Sequence, residues 1–577
     1  MIFISALALG ACARTPHQPA EVRAPVARST EPPAKHPPVV VALVVDQLPM
    51  WMAVERWKTL PATGGFRKLL VEANAIAELH HGHAFNATAP GHAALFTGGP
   101  AHTSGVTANG KLDARGTYES FLADPTAHIV NATGASDRTS SSIASLKAAT
   151  IADSLKHARP GATVISLSMK DRGAIFGGGR TSDATLWFDS TSDAFVTSTA
   201  FAASVPAWAA PIATPGAAAK YRTEAWVPLD PKWLAANTDL PAPDLGQGDF
   251  HGLGKKFPHD IAKAAKPAKA FVATPFADKM LLDAAILAVD HVAKQSEPAL
   301  IAVSLSSTDY VGHMFGPDAP EAWDQMLRLD AELARFFAHL DEKLGKDGYS
   351  VVLSADHGVP STPEVMNQGF CGRPDADKYE RRCEHAVRMR GSELAKVAED
   401  AVDRAVGSGE WVLGYVEPFV VFRPATRALP KDKLDAAVAA VAQSIGALPT
   451  VARAVDVRAN PATCPPAKDE SLDALVCRSI HGGTGGDVFV VPKPGCFVDA
   501  EYVEGDGVNH GTPYLFDRAV PIIVRAPVDA SVQLQETMPS LEDRAIVDQR
   551  AYAATIAALF GIEPPEAAIG GADLSKR

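Results

Sequence analysis

Short apolar runs rich in β-branched residues recur along the chain at 39–45, 162–168, 300–305, 349–354, 488–491 and 520–524. Runs of this length without polar alternation suit strands buried on both faces, so they predict a mostly parallel central sheet. Between them, apolar positions recur at helical spacing over 151–156, 279–294, 322–344 and 551–559. Strands alternating with helices predict an α/β fold, with ligands at the carboxyl ends of the strands. Two regions break the alternation. Residues 188–275 are rich in Ala, Pro and Trp with little period and are expected to cap the site. Residues 360–481 carry two amphipathic helices, 392–406 and 431–445, around a strand-like 418–422, and read as a small α/β insertion. The core is thereby expected in three parts, 39–187, 276–359 and 482–577.

Composition narrows the class. Hydrophobic content of 47% and charged content of 21% are those of a soluble globular protein. A net charge of −12 leaves no basic excess to displace counterions, so a nucleic-acid polymer is not expected as a partner. Residues 1–12 end in Leu9-Gly10-Ala11-Cys12, which resembles a lipoprotein-type signal with Cys12 as the candidate anchor. The Pro-rich stretch 13–38 reads as a disordered tether. An exported bacterial protein is expected, periplasmic or held at the surface, and monomeric. Cys371 and Cys383, and Cys464 and Cys477, are close enough in sequence to close small loops in an oxidising compartment, with Cys496 outside either pair.

The polar residues that follow the strands carry the candidate chemistry. Asp46 ends the first run, and Asp356-His357-Gly358 follows the fourth. Asp309 and His313, four apart after the third, share one face of a helical turn. His510 sits among glycines shortly before the last run. Singly, each is an ordinary capping, pairing or loop residue; together they stand where an α/β fold presents its ligand-binding edge. Mixed His and carboxylate donors suit zinc better than magnesium or calcium, although spacing alone does not separate zinc from calcium or manganese. Six such donors are enough for a two-metal site. Thr88, in Thr88-Ala89-Pro90-Gly91-His92, lies where an apolar helix begins. Free N–H groups and the helix dipole favour an anion there, which makes Thr88 a candidate nucleophile. His80, His81 and His83 read as loop or packing residues, and Asp330 as structural. His92 is expected to support the Thr88 loop, and Asp506 is a possible partner for His510.

Taken in order, Asp46, Thr88, Asp309-x-x-x-His313, Asp356-His357 and His510 resemble the alkaline phosphatase superfamily, in its type I phosphodiesterase/nucleotide pyrophosphatase branch. The surrounding text resembles PafA-type alkaline phosphatases in particular. It includes Val44-Val45-Asp46-Gln47, Gly64-Gly65-Phe66, Gly105-Val106-Thr107-Ala108-Asn109, Ser168-Met169-Lys170-Asp171-Arg172-Gly173 and Asn509-His510-Gly511-Thr512-Pro513-Tyr514. The resemblance implies a three-layer α/β sandwich with cap insertions. It also implies two Zn2+ ions, one held by Asp309, His313 and His510, the other by Asp46, Asp356 and His357 with Thr88. Thr88 would be the nucleophile, forming a phosphothreonine. Asn109, Lys170 and Arg172 would hold the non-bridging phosphate oxygens.

The expected function is a zinc-dependent alkaline phosphatase acting on small-molecule phosphate monoesters. The alternative on the same fold is a phosphodiesterase or nucleotide pyrophosphatase. Lys170 and Arg172 discriminate, because a monoester carries negative charge that a diester lacks. Two apart on an extended strand, they would share a face. A sulfatase is disfavoured because the nucleophile is Thr and no Cys-x-Pro-x-Arg is present.

Overall fold

The computed structural model describes residues 38–238, 245–367, 378–379, 385–499, 505–527 and 539–576. The signal at 1–12 with Cys12, nearly all of the tether, and the Cys371/Cys383 pair lie outside the described residues. Among the described residues the centre is an 11-stranded mixed sheet. Its middle is parallel: Tyr349–Ser354, Val39–Val45, Ala299–Leu305, Thr163–Ser168 and Ala184–Asp189 lie side by side in that order. Except for Asp189 at the end of the last, every residue of these strands is buried, which is why their sequences are continuous apolar runs. Antiparallel strands extend both flanks, with Ala519–Arg525 and Ala75–His80 beyond Tyr349–Ser354 and Ala194–Ser198 beyond Ala184–Asp189.

Register does the functional positioning. Val44 pairs with both Ser304 and Ser354, and Ser304 with Ser168, so four parallel strands end level with one another. The residues that follow, Asp46, Lys170, Asp309 and Asp356, therefore emerge along one edge. Helices Pro275–Val292, Pro320–Leu344 and Arg550–Phe560 match the helical spacing read from the sequence; the first and third pack on the sheet, and Pro320–Leu344 packs on Pro275–Val292, all joining the main core. Asp330 is structural, as expected. It accepts the Phe66 N–H at 2.8 Å, and its carboxyl fills the space a side chain on Gly64 would need. The Gly64-Gly65-Phe66 motif thus serves helix docking.

The run at 488–491 belongs elsewhere than in the central sheet. Val488–Pro492 lies in a second sheet with Val412–Val416, Phe419–Phe422 and Val451–Asp456, beside helices Gly391–Val406 and Lys431–Gly446. The reason is visible in its alternation. Phe489 and Val491 join the main core, whereas Val488 and Val490 join the core of this smaller lobe. Both faces are covered, so the run reads like a central parallel strand. The segment between 188 and 275 contains short helices rather than long ones. Its Trp226 indole donates to Asp324 on the long helix at 2.7 Å, and its Phe250 packs on Tyr310.

Candidate active site

At the strand-end edge, the side chains form two buried triads, Asp309/His313/His510 and Asp46/Asp356/His357. Within each, one donor atom from every residue lies within 4.8 Å of the others. Asp309 and His313 sit on the helix Ser307–Phe315, with His313 Nε2 3.1 Å from Asp309 Oδ1, as their spacing predicts. His510 arrives from a loop whose neighbours Gly507 and Gly511 both take positive φ, a conformation glycine reaches at little cost.

Each imidazole is aimed through its second nitrogen. His313 Nδ1 donates to the Val508 carbonyl at 2.7 Å, His510 Nδ1 to Asn86 at 2.8 Å and His357 Nδ1 to Gly358 at 3.0 Å. These bonds leave three Nε2 lone pairs directed at the carboxylates, which is how metal-binding histidines are oriented. Asp506 takes no part and pairs with Lys255 instead.

The electrostatics point the same way. Burial, then the nearby Asp309 and Asp356, push the Asp46 carboxyl up. Burial opposes the charge on His357, yet Asp356 and Asp46 outweigh it and raise the imidazole to about 9. Burial and the His357 charge lower His510 to about 3. Three carboxylates crowded in one buried space favour a cation among them. His357 Nε2 stands 3.3 Å from Asp46 Oδ1 and 3.5 Å from Asp356 Oδ2, between the two carboxylates of its triad. This donor set, with nitrogens already aimed at crowded, buried carboxylates, fits divalent metal ions of the zinc type.

Thr88 is the first residue of the helix Thr88–Thr97, buried beside both triads. The N–H groups at this helix end are fewer than the sequence reading supposed. Ala89 N–H donates to Asn109 Oδ1 at 2.8 Å, and Pro90 has no N–H, so the dipole remains while these two positions offer no free donor. Lys170 Nζ lies 3.2 Å from Thr88 Oγ1, 2.7 Å from Asp46 Oδ2 and 2.5 Å from Asp309 Oδ2. Burial opposes its charge, but Asp309 and Asp46 hold the ammonium well above its usual range. Arg172 and Asn109 line the same cavity, of about 560 Å³. Lys170 and Arg172 reach it differently from the extended-strand reading. The strand ends at Ser168, Lys170 caps the helix Asp171–Gly178, and Arg172 lies in its first turn.

Further residues buttress the site. Gln47, at a positive φ of 63°, donates from its backbone N–H to Asp356 Oδ1 at 3.2 Å and from Nε2 to Asp309 Oδ1 at 3.0 Å, tying the triads together. His92 Nδ1 lies 2.9 Å from both the Thr88 carbonyl and Asp356 Oδ2, and Ser304 Oγ donates to its Nε2 at 2.7 Å. Lys170 stands over the Tyr310 ring at 5.0 Å. His80 pairs with Glu78 and Glu470, and His81 donates to the Ala355 carbonyl, all outside the triads. Cys464 and Cys477 form a disulfide, and Cys496 donates its thiol to the His385 carbonyl.

Known proteins resemble this chain in sequence and in fold. The family model for type I phosphodiesterase / nucleotide pyrophosphatase matches residues 40–513. Alkaline phosphatase PafA of Elizabethkingia meningoseptica is 33% identical over 57% of this chain and 61% of its own length. Alkaline phosphatase PhoV of Synechococcus elongatus is 30% identical over 58% of this chain and 62% of its own. The chain thus spans about three fifths of the length of these two relatives. Alkaline phosphatase PhoK of a Sphingomonas species is 29% identical over 85% of this chain and 84% of its own. The crystal structure of wild-type alkaline phosphatase PafA superposes with a TM-score of 0.77 at 25% identity, covering 94% of this chain and 99% of that one.

Proposed function

Because the chain belongs to the type I phosphodiesterase/nucleotide pyrophosphatase family, we propose that it is a metal-dependent alkaline phosphatase acting on small phosphate monoesters. The observation that carries this reading is the placement of Lys170 Nζ at 3.2 Å from Thr88 Oγ1, with Arg172 lining the same cavity. A monoester dianion brings more negative charge than a diester, and two fixed cations beside the nucleophile favour the more charged substrate. The relatives named alkaline phosphatase support the same reading.

In this reading Asp309, His313 and His510 hold one zinc ion and Asp46, Asp356 and His357, with Thr88, the other. Bound zinc would supply Lewis-acid chemistry, lowering the pKa of a hydroxyl or water and offsetting charge on the ester oxygens. Thr88 Oγ1 attacks phosphorus in line as the P–O bond to the alcohol breaks, leaving a phosphothreonine. Water then cleaves that ester and restores Thr88. Asn109, Lys170 and Arg172 hold the three non-bridging oxygens through both displacements, where preorganised charge counts most. The Cys464–Cys477 disulfide supports export to an oxidising compartment.

The test is kcat/KM for p-nitrophenyl phosphate against bis-p-nitrophenyl phosphate on zinc-loaded protein, with Thr88→Ala and Lys170→Ala/Arg172→Ala alongside. A monoester preference is expected. The double variant should lose about 10²-fold or more on the monoester and far less on the diester, and Thr88→Ala should abolish phosphoenzyme formation. A diester preference indifferent to the double substitution would make the protein a phosphodiesterase.

A further inference from the structure

The cavity beside Thr88 is larger than a phosphate group needs. At about 560 Å³ it continues from Lys170 and Arg172 to a wall built by the small lobe and the loop before His510, where Tyr415, Glu417 and Asn509 stand. That wall is polar and incompletely satisfied. The Tyr415 hydroxyl is buried without a hydrogen-bond partner among the described residues. Glu417 is held in place by Asn509, whose Nδ2 donates to Glu417 Oε2 at 3.2 Å and to the Val498 carbonyl at 2.8 Å. A buried hydroxyl with no partner is uncommon in native proteins, and one lining a cavity points to a ligand or water as the missing partner.

The chemistry of the wall narrows the ligand. Burial pushes both the Glu417 carboxyl and the Tyr415 hydroxyl well above their ordinary ranges, so the wall disfavours their charged forms. A phenol donates and accepts and a carboxyl oxygen accepts, so together they match the donor and acceptor of an alcohol hydroxyl.

We propose that Tyr415 and Glu417 form an alcohol-side subsite that binds hydroxyl groups of the departing alcohol, directing the enzyme toward phosphate monoesters of polyols and sugars. Asn509 is a positioning residue that orients Glu417. The proposal rests on the phosphomonoesterase reading. It adds a source of selectivity distinct from the phosphate-side residues, because a site built to bond a hydroxyl discriminates against the analogue that lacks it.

The experiment compares sn-glycerol 3-phosphate with n-propyl phosphate, which has the same carbon chain without the two free hydroxyls. Wild-type holoenzyme should favour the glycerol ester in kcat/KM. Tyr415→Phe and Glu417→Leu should each reduce kcat/KM for it about five- to tenfold, the scale of one lost neutral hydrogen bond. Glu417→Gln, which still donates and accepts, should lose much less. The propyl ester should stay within about twofold in every variant, which reports that the fold and the phosphate side are intact. Equal wild-type use of the two esters, or parallel losses on both, would overturn the subsite. Wild-type protein inactive on both yet active on bis-p-nitrophenyl phosphate would instead overturn the phosphomonoesterase reading, and the subsite with it.

Discussion

Asp46, Asp309 and Asp356 share one buried space, and besides Lys170 they are kept in place by groups outside the cavity lining. His92 is the clearest case. One nitrogen faces the Thr88 carbonyl and Asp356 Oδ2 while the other takes the Ser304 hydroxyl, so a single ring links the candidate nucleophile, a carboxylate and a neighbouring strand. Removing such a partner lowers metal affinity by about 10–100-fold in comparable sites. His92→Ala is therefore expected to weaken zinc binding by about that factor at Asp46/Asp356/His357, and to change binding at Asp309/His313/His510 little. Competition against a chromogenic chelator, read as two separate affinities, checks this; equal weakening at both would mean His92 acts through general destabilisation. Five of the six triad residues were legible in the sequence because each follows a strand or shares a helical turn; His510, in a glycine loop, was legible mainly through the family resemblance. Gln47 was less so, because it works through a backbone N–H and an unusual φ that leave no mark in spacing, whereas His92 supports the Thr88 loop as expected, through the carbonyl four residues back.

The helix Thr88–Thr97 and the end of the strand Tyr349–Ser354 meet at Gly91. A Cβ there would stand 2.1 Å from the Asp356 carbonyl oxygen, a backbone atom that no rotamer change moves aside. Gly91→Ala improves intrinsic helix propensity by up to about 1 kcal/mol. Overpacking costs about 1–3 kcal/mol and here dominates. The expected net loss is about 1–2 kcal/mol, seen as a Tm lowered by a few degrees. A drop in kcat should accompany it, since Thr88 and Asp356 ride on the two elements forced apart. The control is Gly446→Ala, at the end of the helix Lys431–Gly446, where the nearest atom to a new Cβ is the Ala454 Cβ at 3.9 Å. That change should be neutral or slightly stabilising; if both variants lose stability equally, the close approach at Gly91 is not the cause. At this scale the strands and long helices were readable, but not which sheet each strand joins. Val488–Pro492 is apolar because two cores enclose it, and Ala519–Arg525 is equally apolar yet antiparallel to its neighbours. Burial on both faces leaves one signature for several topologies.

For the molecule as a whole, the question is how metal and proton compete for the same buried space, and the answer has a sign. Without metal, the neighbouring Asp356 and Asp46 outweigh burial and raise His357 from an ordinary value near 6.5 to about 9. The folded metal-free protein therefore holds a proton more tightly than the unfolded chain. The stability this contributes is complete below about pH 6.5 and is lost as pH rises through about 9. Metal binding requires His357 neutral, so the same proton must leave, and metal affinity rises through the same window. Asp278 and Asp517, raised by burial to about 7 and about 8, also favour the folded state at lower pH. Neither belongs to a triad, and burial, the main cause of both shifts, is common to the loaded and metal-free forms; the smaller influence of Asp46 on Asp278 and of His357 on Asp517 is not. Thermal unfolding of zinc-loaded and chelator-treated protein from pH 6.5 to 9 should therefore show a stability gap that widens with pH. One displaced proton corresponds to about 1.4 kcal/mol per pH unit. A gap that stays constant across this range, with no proton release on adding zinc in weak buffer, would mean that His357 is neutral in the metal-free protein and that the carboxylates around it are held by Lys170 alone.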